Sequence, residues 1–175
     1  MSNNITIAKH AGFCFGVERA TEAVEKKIKE RRSGEKIYTL GHLIHNQGYI
    51  SYLEENGVNS IEIPDIEKIC DMACADAPVT VYIRAHGITV EAENLLRKCK
   101  EKNQYFDYVD MTCPYVKKIH RIAKDNTSDD TLFAVLGSAT HPEVVGIISY
   151  AEGEKMVFEG HLLVGGILPF RWSRG

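Results

Sequence analysis

The stretch VTVYIRAHGITVEAENLLRKCKEK, residues 79–102, decides the fold of this protein. Its first part is rich in β-branched and aromatic residues, which is typical of a buried strand. From Val90 to Lys102 the apolar residues recur at helical spacing, on a face that carries Ala92, Leu95, Leu96 and Cys99. A strand, a short turn and a helix therefore follow one another here.

The same alternation runs along most of the chain. The other strand-like runs are ITIA, KIYTL, VNSIEI, YFDYVD and TLFAVLG. Helices are predicted over residues 15–32, 46–56 and 114–124, with a shorter one in DIEKICDMACADAP. The helix over residues 114–124 is expected to turn Val116, Ile119 and Ile122 or Ala123 inward. This alternation predicts an α/β fold, with parallel sheets flanked by helices in repeated lobes.

A division between two such lobes is expected near CKEKNQ, residues 99–104. The strand that follows begins a unit resembling the first one, with an apolar strand, a cysteine and then an amphipathic helix. We therefore expect a first α/β lobe over residues 1–104 and a second lobe that begins at residue 105.

Composition narrows the classes of function. The 175 residues carry a formal net charge of -3 and their lysines and arginines are scattered, so nucleic acid is not an expected partner. No window is apolar enough for a membrane helix and the N-terminus lacks a signal-peptide pattern, which favours a soluble cytoplasmic protein. Five cysteines, an odd number in a chain with a sizeable core, do not favour disulfides.

Residue types that bind metals or transfer protons stand at the predicted strand-to-helix turns. Open parallel sheets bind ligands at the carboxyl edge of their strands, where loops and helix N-termini converge. A cysteine in the first turn of a helix also feels the positive end of the helix dipole, which favours the thiolate. The residues at these turns are Cys14, His45, His86, Cys113 and His141.

Simpler interpretations exist for such residues, as small buried thiols or as hydrogen-bonded structural histidines. We adopt the structural interpretation for Cys70, Cys74 and Cys99. Cys70 and Cys99 fall on apolar faces, and the C-x3-C pair formed by Cys70 and Cys74 has no further ligand at zinc-site spacing.

Three other functions fit the same residue types. A non-catalytic module could hold a phosphate-bearing ligand with the histidines. A zinc hydrolase could use Cys14, Cys113 and His141 as ligands and Glu143 as base. Finally, Cys113 could be a nucleophile activated by a nearby histidine.

Five motifs in this order, AGFCFGVERA, LIHNQ, RAHGIT, DMTCPYVKKIH and HPEVVGI, resemble the 4-hydroxy-3-methylbut-2-enyl diphosphate reductases, or LytB family, of the non-mevalonate isoprenoid pathway. The resemblance runs from about Ile5 to Glu159. It implies an iron–sulfur oxidoreductase that removes the allylic hydroxyl of its diphosphate substrate with two electrons and protons, giving isopentenyl and dimethylallyl diphosphate. It also implies three similar α/β lobes around a 4Fe–4S cluster, each lobe supplying one cysteine.

The resemblance also gives the residues at the turns their roles. Cys14 and Cys113 would be two of the cluster ligands, which agrees with the preference of iron–sulfur clusters for thiolates. Glu143 would help to relay a proton to the leaving hydroxyl. A ferredoxin or flavodoxin would donate the electrons. The diphosphate would be bound by the three histidines His45, His86 and His141.

The chain departs from the family pattern after residue 159. Residues 160–175, which include HLLVGGILPFRWSRG, are expected to be an aberrant tail from a frameshift or truncation. Residues 105–159 would then form only part of the second lobe, and the third cysteine ligand is absent. Two thiolates alone would hold a cluster poorly, so we expect an inactive fragment with apolar surface exposed where the third lobe would pack.

Overall fold

The computed structural model describes Thr6 and residues 12–159. The expected strand ITIA, apart from Thr6, and the expected tail over residues 160–175 lie outside the described residues. The strands are β1 Lys36–Leu40, β2 Val58–Ile61, β3 Val79–Ile83, β4 Phe106–Asp110, β5 Leu132–Leu136 and β6 Glu154–Phe158. The helices are α1 Phe15–Lys29, α2 Gln47–Glu55, α3 Ile66–Met72, α4 Val90–Lys102, α5 Pro114–Asp125 and α6 Pro142–Tyr150, and a 3₁₀ turn spans Ile63–Asp65.

Four parallel strands form the larger sheet, in the order β2-β1-β3-β4. Every residue of β3 is buried, because β1 and β4 flank the strand and helices cover both faces of the sheet. On one face the core includes Ile66 of α3 and Leu96 of α4, and on the other it includes Val24 of α1 and Leu53 of α2. The predicted α/β fold with helices packed on a parallel sheet is therefore confirmed.

A second, smaller sheet consists of β5 and β6, which are also parallel. Helices α5 and α6 pack together beside it, around a small core of Ala123, Ile147 and Ala151. β4 follows the expected boundary at residue 104 but pairs with β3, so the change from one sheet to the other falls between β4 and β5. The division of the chain into lobes stays a prediction.

The buried face of α5 differs from the expected one. Ile119 and Ile122 are 39% and 49% exposed, whereas Val116, His120 and Ala123 are buried. The prediction that Ile119 points inward is therefore wrong. The reason is the packing of α6, whose Tyr150 ring stacks on the His120 ring with centroids 4.3 Å apart and so draws the polar residue inward.

Apolar side chains are exposed around the smaller sheet. Leu132 and Leu136, on the same side of β5, are 54% and 77% exposed, and Tyr115 at the start of α5 is 76% exposed. Parallel sheets normally have both faces covered, so this bare face is unusual and agrees with the expectation of exposed apolar surface. Among the described helices, none combines the length and apolar character that a bilayer crossing requires.

Candidate functional site

The residues singled out from the sequence lie at the N-terminal ends of helices or in the loops that precede them. Cys14 is the N-cap of α1, Cys113 the N-cap of α5 and His141 the N-cap of α6. His45 precedes the N-cap of α2, and His86 lies in the loop between β3 and α4. For each residue but Cys14, a described strand ends just before the loop, so these side chains lie at the carboxyl edges of the two sheets.

The three histidines form one cluster, with His86 in the middle. Its ring centroid is 5.0 Å from that of His45 and 6.3 Å from that of His141. The His141 Nδ1 accepts a hydrogen bond from the Glu143 backbone N–H at 3.3 Å, which leaves the proton of a neutral ring on Nε2. His45 and His141 are exposed, so the cluster is open to solvent on two sides.

His86 is the least exposed of the three histidines, and its buried Nδ1 has no hydrogen-bond partner in the part of the chain that the structure describes. Burial lowers the pKa of His86, and the neighbouring His45, Arg84 and His141 lower it as well, while Glu143 opposes them. His86 is consequently neutral near pH 7. An anion bound at the cluster would favour the protonated form of His86, because its negative charge would stabilise the positive charge of the imidazolium.

The two candidate cysteine ligands lie on adjacent turns. A methyl group at position 16 would lie only 2.9 Å from the Cys113 Sγ, so the first turn of α1, which Cys14 caps, packs directly against that sulfur. The Arg19 Nη2 of α1 donates to the carbonyl oxygens of Met111 at 3.0 Å and Thr112 at 2.8 Å. Both cysteines are free thiols at helix N-termini.

The cysteine turns and the histidine cluster are joined through the backbone. The Cys113 N–H donates to the Ala85 carbonyl at 2.9 Å, and Ala85 precedes His86. The Arg84 Nε donates to the Gly87 carbonyl at 3.2 Å, which holds the other side of the same loop. A thiol pair and an imidazole cluster thus border one region of the molecule, which we call the thiol–imidazole edge.

The thiols at this edge fit part of an iron–sulfur site. Two cysteine sulfurs at helix N-termini, one of them packed against a glycine that leaves room beside it, are the donor type that such clusters use. Across Thr6 and residues 12–159, however, no group of three His, Cys, Asp or Glu side chains could hold a metal ion. The described residues therefore supply part of a ligand set, and they give no support to a zinc site formed by Cys14, Cys113 and His141.

The other cysteines behave as the sequence suggests. Cys70 and Cys99 are buried between α3 and α4, and the Cys70 Sγ lies 3.6 Å from the Cys99 carbonyl oxygen. Burial, with the neighbouring Cys70, raises the pKa of Cys99 to about 12, so this thiol is unreactive at neutral pH. Cys74 is exposed just beyond the end of α3.

A separate polar cleft of about 450 Å³ lies beside α5 and does not include the histidine cluster. Its wall contains the buried His120, the ion pair between Asp110 and Lys117, and Tyr150, which donates to Glu93 at 2.6 Å. The ion pair and the Tyr150 hydrogen bond satisfy the polar groups of Asp110, Lys117, Tyr150 and Glu93, whereas the His120 Nε2 is buried without a hydrogen-bond partner among the described residues. We assign the chemistry to the thiol–imidazole edge, because none of Cys14, Cys113 and the three clustered histidines lines this cleft.

Comparison with known proteins identifies the family. Residues 5–166 match the family model described as LytB protein, so this chain belongs to the LytB family. It is 37% identical over 148 residues to the 4-hydroxy-3-methylbut-2-enyl diphosphate reductase of a Thermoanaerobacter species, covering 85% of this chain and 47% of that protein. The enzyme of the same name from Aquifex aeolicus is 39% identical over 147 residues, covering 84% and 45%.

Solved structures agree with this assignment. A structure of (E)-4-hydroxy-3-methyl-but-2-enyl diphosphate reductase, the terminal enzyme of the non-mevalonate pathway, matches with a TM-score of 0.65 and 36% identity, over 92% of this chain and 53% of the other. The reductase of Plasmodium falciparum matches with a TM-score of 0.67 and 28% identity, over 86% and 43%. The chain thus spans about half the length of the relatives that it matches.

Proposed function

We propose that this chain is the part of a LytB reductase that binds the diphosphate of 4-hydroxy-3-methylbut-2-enyl diphosphate and supplies two cysteine ligands of a 4Fe–4S cluster. The complete enzyme would reductively remove the allylic hydroxyl in the cytoplasm, with electrons from a ferredoxin or flavodoxin. The observation that carries the proposal is the arrangement of His86, which lies 5.0 Å and 6.3 Å from two other imidazoles and beside the turn of Cys113.

Diphosphate binding follows from the chemistry of the histidine cluster. His45, His86 and His141 offer ring N–H donors to phosphate oxygens, and the N-termini of α2 and α6 add backbone N–H groups and a favourable dipole. His86 gains most from the ligand, because its buried Nδ1 has no hydrogen-bond partner among the described residues. A phosphate oxygen that accepts a hydrogen bond from His86 would therefore satisfy a buried polar nitrogen and remove the free-energy cost of leaving it unpaired.

Cys14 and Cys113 would hold one side of the cluster, and a bound cluster would supply the electrons and a Lewis-acidic iron at the substrate hydroxyl. Gly16 keeps the space next to the Cys113 sulfur free of side chains. Glu143 lies in the first turn of α6, next to the His141 that would bind the diphosphate. From that position its carboxyl group would hold and deliver the proton that leaves with the hydroxyl as water.

The remaining ligand and the cover for the exposed face of β5 would come from the rest of a LytB fold. A chain of this extent is therefore expected to bind the diphosphate but not to turn over alone. Anaerobic reconstitution with iron and sulfide tests this directly. We expect incomplete cluster absorbance and no reductase activity from the 175 residues. Full cluster absorbance and reductase activity should appear when the second half of the Aquifex aeolicus relative is refolded with the 175 residues. Full activity from the chain alone would refute the fragment proposal.

Calorimetry with inorganic pyrophosphate on metal-free protein tests the histidine cluster. Binding should be lost in His86→Gln and weakened in His45→Gln and His141→Gln. His42→Gln is the matched control, because His42 is exposed in the same loop as His45 and is not one of the three clustered histidines. Equal binding by all four variants would contradict the assignment.

A non-catalytic diphosphate-binding module is the second candidate function. It is favoured by one specific observation, namely that the imidazole cluster is formed entirely by described residues whereas the metal ligand set is not. Pyrophosphate binding that persists, with no cluster or activity even when the second half of a relative is supplied, would support this function over the reductase.

A further inference from the structure

Arg19 connects the two helices that begin at the candidate cysteine ligands. It lies on α1, five residues after Cys14, and its Nη2 donates to the carbonyl oxygens of Met111 and Thr112, directly before Cys113. These contacts span more than ninety residues of sequence, at distances of 3.0 Å and 2.8 Å. One nitrogen therefore fixes the position of the Cys113 turn relative to the helix that Cys14 caps.

Within residues 12–159 no carboxylate forms an ion pair with Arg19. Its Nε is buried without a hydrogen-bond partner among the same residues. A partly buried cation that bonds only carbonyl oxygens is costly unless an anion lies nearby. The two carbonyls that Arg19 binds lie in the turn directly before Cys113, and a cysteine thiol becomes anionic when it binds a metal.

We propose that Arg19 is a positioning residue for the cysteine pair. It holds the two sulfurs at a fixed separation through the main-chain carbonyls of the Cys113 turn, and its charge offsets the negative charge of the two thiolates in the metal-bound state. This inference rests on the proposed role of Cys14 and Cys113 as ligands. Arginine suits the task better than lysine, because its planar guanidinium presents donors in fixed directions and cannot lose its proton.

Cross-linking by dibromobimane measures the separation of the sulfurs without any metal. This reagent fluoresces when both of its bromomethyl groups have reacted, so it reports thiols that lie a few ångströms apart. The experiment uses the full chain with Cys74→Ser, which removes the exposed thiol outside the site, while Cys70 and Cys99 stay buried. The ratio of cross-linked protein to singly alkylated protein, read by mass spectrometry, corrects for changes in thiol reactivity.

The matched control is Arg31→Met. Like Arg19, Arg31 donates through Nη2 to the backbone, although to one carbonyl, that of Gly57 at 3.4 Å, and its buried Nε has no partner among the described residues. Arg31 lies beyond the other end of α1. Arg19→Met removes both hydrogen bonds of the Arg19 Nη2, and we expect it to lower the cross-linking ratio at least about tenfold, the factor that corresponds to the loss of one of them. Arg19→Lys should be intermediate, and Arg31→Met should match the parent protein.

Chemical rescue separates a specific guanidinium effect from a general loss of structure. Millimolar guanidinium should restore cross-linking in Arg19→Ala, whereas the same concentration of tetramethylammonium should not. The Cd²⁺ affinities of the variants should follow the same order as their cross-linking ratios. Cd²⁺ suits this test because it binds a pair of thiolates without the remaining ligand of a cluster.

The outcomes distinguish the two proposals. No cross-linking in the parent protein would overturn the cysteine pairing and this inference together. Strong cross-linking in the parent, with Arg19→Met and Arg19→Lys equal to Arg31→Met, would overturn the role of Arg19 alone.

Discussion

Replacing Gly16 with alanine tests the contact on which the cysteine pairing depends. The added methyl group would lie 2.9 Å from the Cys113 Sγ and 3.2 Å from its Cβ. Ordinary contacts between such atoms are about 3.5–4.0 Å, so the sulfur or the helix must move by roughly 1 Å. We expect this displacement to lower the affinity for any metal ion that binds through Cys14 and Cys113.

Two opposing effects set the change in stability. Alanine in place of glycine in a helix gains about 0.5–1 kcal/mol, whereas overpacking costs about 1–3 kcal/mol. Gly16→Ala should therefore range from nearly neutral to about 2.5 kcal/mol less stable in urea unfolding. Gly48→Ala is the matched control, because Gly48 is also the second residue of its helix but would meet only the Asn46 Oδ1, at 3.4 Å.

The assay compares urea midpoints and Cd²⁺ affinity for both alanine variants, with and without Cys113→Ala. Gly48→Ala should gain about 0.5–1 kcal/mol and leave Cd²⁺ binding unchanged. Cys113→Ala should relieve the overpacking, so Gly16→Ala in that background should be as favourable as Gly48→Ala. The reasoning is refuted if Gly16→Ala stabilises the parent protein as much as Gly48→Ala does and also leaves Cd²⁺ binding intact.

Gly87→Ala is expected to destabilise the fold by about 2–4 kcal/mol in urea unfolding, because Gly87 has a φ of +77° and the added methyl would lie 2.8 Å from the His120 Cε1; a neutral result would contradict that packing. Glu35→Gln should cost about 1–3 kcal/mol near neutral pH, since this buried carboxylate is ion-paired with Lys27. Burial raises the pKa of Glu35, but its hydrogen bonds and the Lys27 charge together lower it more, so this stability is present above the unfolded pKa near 4.5 and is lost as the pH falls through the lower folded pKa. Urea midpoints of parent and variant that fail to converge in acid would contradict this account. Because burial lowers the pKa of His86, pyrophosphate binding should tighten as the pH falls from about 7.5 to about 6, with proton uptake in calorimetry that His86→Gln abolishes; binding without proton uptake in the parent would exclude this role.

The sequence predicts elements well where local signals and packing agree. For α4 the predicted bounds, Val90–Lys102, are those of the structure, because Thr89 caps the helix at one end and Asn103 leaves helical geometry at the other. On α5 the two signals disagree. The apolar pattern points Ile119 inward, but the ring of Tyr150, from a helix that is distant in sequence, selects the face with His120.

In the candidate site, too, some features can be predicted from the sequence and others appear only in the folded structure. The positions of Cys113, His45, His86 and His141 at strand-to-helix turns follow from residue type and the carboxyl-edge rule. The role of Arg19 has no such signal, since an arginine in an amphipathic helix normally faces solvent. Its carbonyl partners lie more than ninety residues away, and only the packing of α1 against the Cys113 turn brings them together.

The unequal cover of the two sheets affects how the chain opens in solution. β3 has a strand on each side and helices on both faces, whereas β5 exposes Leu132 and Leu136 and, within the described residues, pairs with β6 alone. Amide protons of β5 should therefore exchange with deuterium through small local openings, while those of β3 exchange only when the whole larger unit unfolds. A solvent-labelling experiment would then divide this polypeptide into a slowly exchanging part and a rapidly exchanging part, with the transition after Cys113, whose N–H still bonds to the Ala85 carbonyl of the larger unit.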